Sequence, residues 1–340
     1  MAERLALPGF VNAHSHAFQR ALRGKVEGGD FWAWREAMLD QARGLTPEHV
    51  RTEYAAVYRE MRAAGYTAVG EFHYIGFAEA EAAVEAAREA AIELVLLYAA
   101  YARGGLDRFR QDSVGTYLEQ VETLRGMGAL VGLAPHSVRA CPRDWLEEIG
   151  GYAASEGLVL HVHADEQPRE IEECLVEHGL RPLELLRETG CLGLRTTVVH
   201  ATHADERELD LLADAGARVC LCPTTEANLG DGFPPLEGLL ERGIPLCIGS
   251  DSNVRIDPLE ELRELEGIAR RQTLRRNVVP VADLITAGTA SGGAALGIDD
   301  WPGIEVDLGH ASLRGVPPPE AHAALVHGCG ADVVTPSRDA

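Results

Sequence analysis

Two histidines one residue apart, His14 and His16 in "NAHSHAFQR", end a short apolar segment near the start of the chain. In an extended strand residues i and i+2 face the same way, so both imidazoles can reach one metal ion. The rest of such a shell has to come from distant parts of the chain. His163 in "LVLHVHADE" and Asp251 in "GSDS" each follow an apolar run and offer a third imidazole and a carboxylate. Three nitrogens and one carboxylate suit one divalent ion, Zn²⁺ first, with Fe²⁺ and Mn²⁺ also compatible. His200, at the end of "TTVVH", can polarise whatever is attacked beside that ion. For any single strand-end histidine the ordinary alternative is a hydrogen-bonded core or rim residue, which is how His161 and His203 are read.

Those side chains need a scaffold that gathers strand ends. Short apolar runs, among them "LPGFVNAHSH", "YTAVGEFHY", "ALVGLAPHS", "TTVVHATH" and "IPLCIGSDS", alternate with helical patterns such as "TPEHVRTEYAAVYREMRAAG" and "ADERELDLLADAG". Such alternation gives a parallel sheet covered on both faces. Eight units favour a (β/α)₈ barrel over an open doubly wound sheet, and neither G-x-G-x-x-G nor a P-loop follows any run. In such barrels function sits at the C-terminal ends of the strands. His14 and His16, His73 and Tyr74, His136 and Arg139, His163 and Glu166, His200 and Asp251 all fall there. Thr46 followed by Pro47 marks a helix start, and Gly65, Gly157 and Gly216 mark helix ends. The barrel and its C-terminal helices are assigned to 1–300. The Pro/Gly-rich tail, 301–340, is read as packing or as contact between copies, as in a homodimer.

Composition narrows the function. With 340 residues and a formal charge of −22, the chain has no basic face for phosphate, which excludes a nucleic-acid partner. No apolar stretch nears the roughly 20 residues of a membrane helix, and "MAERLALPGF" lacks the design of a signal peptide. A soluble cytoplasmic protein is expected. The seven cysteines form no C-x-x-C pair, and those of "RVCLCP" and "IPLCIGS" read as buried thiols, a thiolate zinc site being the alternative. Lys25, the only lysine, lies in "RGKVEGGD" and reads as a solvated loop residue.

The order H-x-H, His, His, Asp at the ends of the first, fifth, sixth and eighth strands resembles the amidohydrolase superfamily. Members with two metals bridge them with a carboxylated lysine after strand four; here that strand ends in "GLAPHSVRA". The resemblance therefore implies a mononuclear site of the deaminase branch, in which the H-x-x-E glutamate, here Glu166 of "HADE", shuttles protons. Asp251 would take the proton of the attacking water and His200 would stabilise the tetrahedral intermediate. Within the branch, "HSHAFQRAL", "FWAWRE", "HSVRA" and "TEANLGDG" look like the formimidoylglutamate deiminases. That likeness implies a small anionic dicarboxylate substrate touched by Gln19, Arg35, Tyr74, His136 and Arg139. Arginine forks suit its carboxylates, although Arg35 could equally pair with Glu36 at the surface. Glu226, Asn228 and Asn253 receive no role. Family members carry a longer segment before the first strand, so the flanking β-sandwich is expected to be absent or reduced. A deaminase of a neutral heterocycle, or a catalytically silent metal-binding barrel, are the competing readings.

Overall fold

The computed structural model describes residues 4–337. Eleven strands fall into two sheets. The first, β1 (Arg4–Pro8), precedes the barrel strands β2 (Phe10–Ser15), β3 (Tyr66–His73), β4 (Glu93–Ala100), β5 (Leu130–Pro135), β6 (Leu160–Ala164), β7 (Thr196–His200), β8 (Arg218–Leu221) and β9 (Leu246–Ile248). These eight pair in chain order, every neighbour parallel. The ring closes at the strand ends: Ser250 N and Asp251 N donate to His14 O, and His16 N donates to Asp251 O at 2.8 Å. Closure therefore brings metal-type residues from two distant parts of the chain side by side.

The strands are apolar because both faces are covered; every residue of β2 and of β3 is buried. Helices between them cover the outside. Thr46 caps the helix Pro47–Ala63 by accepting from His49 N, and Gly157 and Gly216 close two others in the left-handed conformation, at φ 63° and 64°. Gly65 follows just beyond Ala64, the residue that ends Pro47–Ala63. Among the described residues no helix is long and apolar enough to cross a membrane.

The expected first strand, "LPGFVNAHSH", is divided. Residues before Gly9 form β1, which pairs antiparallel with β10 (Gly303–Asp307), itself paired with β11 (Val334–Pro336). The break is steric: a Cβ at Gly9 would lie 1.8 Å from Thr67 Oγ1 and 2.3 Å from Pro302 O, so the chain can pass between the sheets only as glycine. A division at residue 300 thus does not separate the two sheets, since one strand of the small sheet comes from the start of the chain. Among the described residues the flanking sheet is a single layer of three strands. All seven cysteines are free and buried.

Candidate active site

His14 and His16 project from the end of β2, and His163 from β6. The His14 Nε2 atom lies 3.1 Å from His16 Nε2 and 3.1 Å from His163 Nε2. Asp251 Oδ1 is 3.6 Å from His14 Nε2 and 3.4 Å from His16 Nε2. Backbone carbonyls fix which nitrogen of two of these rings carries its proton. His16 Nδ1 is 2.8 Å from Phe72 O and His163 Nδ1 3.0 Å from His136 O. Each Nδ1–H is therefore the donor, and each Nε2 turns a lone pair toward His14. Lone pairs facing one another in a buried site need a cation between them. Tetrahedral coordination with bonds of about 2.0–2.1 Å has edges of about 3.3 Å; the four separations just given bracket that value, and all four donor atoms lie within 4.8 Å of one another. Burial lowers the pKa of His14 to about 3 and keeps His16 and His163 below the ordinary value, so the imidazoles are neutral. Burial opposes charge on Asp251, but His14, His16 and His200 hold its carboxyl down to about 2. The four residues fit one divalent ion.

Beside this group stand two further side chains. His200 Nε2 is buried without a hydrogen bond, 3.6 Å from Glu166 Oε1 and 3.8 Å from Asp251 Oδ2. Its Nδ1 lies 3.2 Å from Glu226 Oε1, which also accepts from Cys222 N. Burial disfavours a charged ring there, yet Glu166, Glu226 and Asp251 together push His200 up to about 10. His200, Asp251 and Asn253 all take left-handed backbone conformations, with φ of 76°, 41° and 56°. Such strain costs on the order of 1–3 kcal/mol per residue and persists where surroundings enforce it. Asn253 does so for its own loop: Nδ2 donates to Ser15 Oγ and Asp251 O, and Oδ1 accepts from Ser250 Oγ.

A cavity of about 250 Å³ opens above the group, and Gln19, Arg35, Tyr74, His136 and Arg139 all line it. Gln19 Nε2 donates to Tyr74 OH at 2.8 Å, while its Oε1 is buried without a partner. The His136 ring stacks on His163 at 4.7 Å. Arg139 Nη2 donates to Glu166 Oε2 at 3.2 Å, and Arg35 has Glu36 as a loose neighbour at 3.5 Å. The structure does not gather every strand-end histidine. His73 is spent between Tyr54 OH and Gly76 O, His203 on Asp231 O, and His161 on Ala295 O. Lys25 is exposed, away from the strand ends.

With the geometry in place, comparison decides the family. The profile of the amidohydrolase family matches residues 5–306. The chain belongs to the amidohydrolase family. Formimidoylglutamate deiminase of Pseudomonas aeruginosa is 39% identical over 335 residues, covering 87% of this chain and 74% of that protein. A 5-methylthioadenosine/S-adenosylhomocysteine deaminase of Natronomonas pharaonis is 32% identical over 305 residues, 87% of this chain and 69% of that one. Among solved structures, an amidohydrolase from Brucella melitensis superposes with a TM-score of 0.86 at 31% identity, covering 97% of this chain and 84% of the other. An adenosine deaminase from Xanthomonas campestris, crystallised with zinc, has a TM-score of 0.89 at 23% identity, covering 98% and 80%. As an amidohydrolase, this protein is a hydrolytic enzyme acting on C–N bonds.

Three side chains of this amidohydrolase site escaped the reading of the sequence. Glu226 orients His200, and the signal was its position four residues after Cys222, which lets one oxygen reach both. Glu71 lies inside a buried strand, accepts from Ala17 N at 2.7 Å and is lifted by burial to about 8; a charge within "YTAVGEFHY" was its signal. Trp32 lines the cavity from the helix Phe31–Arg43; it stands in "FWAWRE", but that block gave it no role.

Proposed function

We propose that this enzyme hydrolyses N-formimidoyl-L-glutamate to N-formyl-L-glutamate and ammonia, as in histidine degradation. The observation that carries the reading is the pair of guanidiniums, Arg35 and Arg139, lining the cavity over the metal-type group. A neutral heterocycle would offer neither cation a ligand carboxylate, leaving them only Glu166, Glu170 and the loose Glu36, whereas a dicarboxylate supplies two. The 39% identity to the Pseudomonas aeruginosa deiminase, against 32% to the Natronomonas pharaonis deaminase, points the same way.

His14, His16, His163 and Asp251 would hold one divalent ion, for which the N/O donor set favours Zn²⁺ over Fe²⁺ or Mn²⁺. When bound, such an ion supplies Lewis acidity and lowers the pKa of water. Asp251, ionised beside the cationic His200, accepts the proton of the attacking water. Glu166 carries a proton to the departing nitrogen, and its distance of 3.6 Å from His200 places both at one small volume. His200, held cationic, turns its unpartnered Nε2 toward the site and stabilises the charge that develops on the oxygen of the tetrahedral intermediate. Gln19, tied to Tyr74, presents its free oxygen to the formimidoyl N–H. Arg35 and Arg139 fix the two carboxylates, and Tyr74 and His136 wall the space between.

The test is metal analysis joined to an ammonia-release panel of N-formimidoyl-L-glutamate, 5-methylthioadenosine, adenosine, guanine and cytosine. Release from the first alone, at one metal per chain, is expected. Turnover of a heterocycle in preference to it would overturn the dicarboxylate reading, and bound metal with no release from any would make the barrel catalytically silent.

A further inference from the structure

The outer wall of the cavity contains a stack that the chemistry above does not use. Trp32, in the first turn of the helix Phe31–Arg43, lies near two guanidiniums, Arg169 at 4.5 Å and Arg139 at 5.8 Å from its ring. Distances below about 6 Å are those of cation–π attraction. The far end of this helix is pinned to the barrel, because Arg108 Nη1 donates to the carbonyls of Ala42, Arg43 and Leu45. Its near end is fed by an exposed connector rich in glycine, in which Gly24 and Gly29 take φ of 70° and 98°. Such a connector imposes little direction on the helix it leads into. The Asp30 cap, accepting from Ala33 N, is internal to the helix and ties it to nothing else. Phe31 and Trp34 give the same turn apolar contact, but apolar contact is not directional. The stack on Trp32 is a directional contact between this turn and Arg139.

Arg35 follows Trp32 by three residues, hence on the same side of the helix, and lines the same cavity. Moving the Trp32 turn moves Arg35 relative to Arg139. We propose that Trp32, in cation–π contact with Arg139 and Arg169, sets the spacing of the two carboxylate-binding arginines and so selects dicarboxylates by chain length. The inference rests on the dicarboxylate reading above. Trp32 is a positioning residue, and Arg169, from the first turn of Pro168–His178, completes its seat while pairing with Glu173 at 2.7 Å.

The experiment measures steady-state ammonia release by the metal-loaded full chain with N-formimidoyl-L-glutamate and with N-formimidoyl-L-aspartate, one methylene shorter. The proteins are the unmodified chain, Trp32→Leu and Arg169→Met. Because the Arg169 side chain is 59% exposed, the second variant tests the stack even where the first fails to fold. Trp32→Leu is expected to raise KM for the glutamate compound about tenfold, leave kcat within about threefold, and narrow the glutamate-over-aspartate ratio of kcat/KM about tenfold. Arg169→Met should shift the same quantities in the same direction by about threefold. A purely structural defect would lower both substrates alike. Folded variants that keep the unmodified chain's ratio overturn the proposal and leave the dicarboxylate reading standing. If the unmodified chain releases no ammonia from either compound, that reading falls and this one with it.

Discussion

Replacing Arg139 with glutamine should raise KM for a dicarboxylate by one to two orders of magnitude. A charge-assisted hydrogen bond contributes about 1.5–3 kcal/mol, which is about 10- to 100-fold in affinity. The guanidinium is well placed to give that full value, because its side chain is only 17% exposed and water screens it little. In the free protein it donates to Glu166 at 3.2 Å and has Glu170 at 3.7 Å, so the variant also removes a cation from between two buried carboxylates. Burial lifts Glu170 to about 7 in spite of Arg139. Without Arg139 it rises further and is neutral at pH 7, which removes one of the two stranded charges and lets the chain fold. Glutamine keeps a hydrogen-bond donor at the site, so the loss reports on charge and fork geometry. Ammonia release measured across substrate concentration separates KM from kcat, and a thermal melt checks folding. An unchanged KM in a folded variant would remove Arg139 from the pocket, and with it the electrostatic case for an anionic substrate.

His163→Ala takes away one of the four donors, so metal content and turnover should be lost together, along with the metal-dependent gain in Tm; turnover surviving dialysis against a chelator would refute the shell. Glu226→Gln weakens the support of His200 and should lower kcat about 10- to 100-fold with KM little changed, so equal kcat in the variant would sever Glu226 from the reaction. His161 is fully buried, with its pKa lowered from 6.5 to about 4. The unfolded chain binds its proton first, so the stability it contributes is complete above pH 6.5 and is lost as pH falls toward 4. Between pH 7 and 4.5 that amounts to on the order of 2–3 kcal/mol. Urea denaturation at the two pH values should show His161→Gln losing less stability than the unmodified chain by about this amount, and equal losses would contradict the assignment.

The barrel and the group of four donors were legible because each rests on a local rule. Alternation of apolar runs with helical patterns requires no knowledge of distant residues, and neither does the i, i+2 spacing of His14 and His16. What the sequence hid depends on close approach. The division at Gly9 follows from Thr67 and Pro302, far away in the chain, and no pattern within "LPGFVNAHSH" announces it. Glu226 acts on His200 across the gap between adjacent strand ends, and Trp32 meets Arg169 from another helix altogether. Contacts of that kind belong to packing, which periodicity does not encode.

The donors are spread along the chain from His14 to Asp251, and β1, just before the first of them, pairs with a strand beginning at Gly303. On a ribosome making about 5–20 residues per second, the first two histidines emerge roughly 10–50 s before the carboxylate that completes their set. Once β3 is made, β2 has it on one side but no β9 on the other for the rest of that interval, so one edge of the growing sheet stands open. The full set of four donors therefore exists only late in the birth of this enzyme. Until β10 arrives, β1 has no strand beside it.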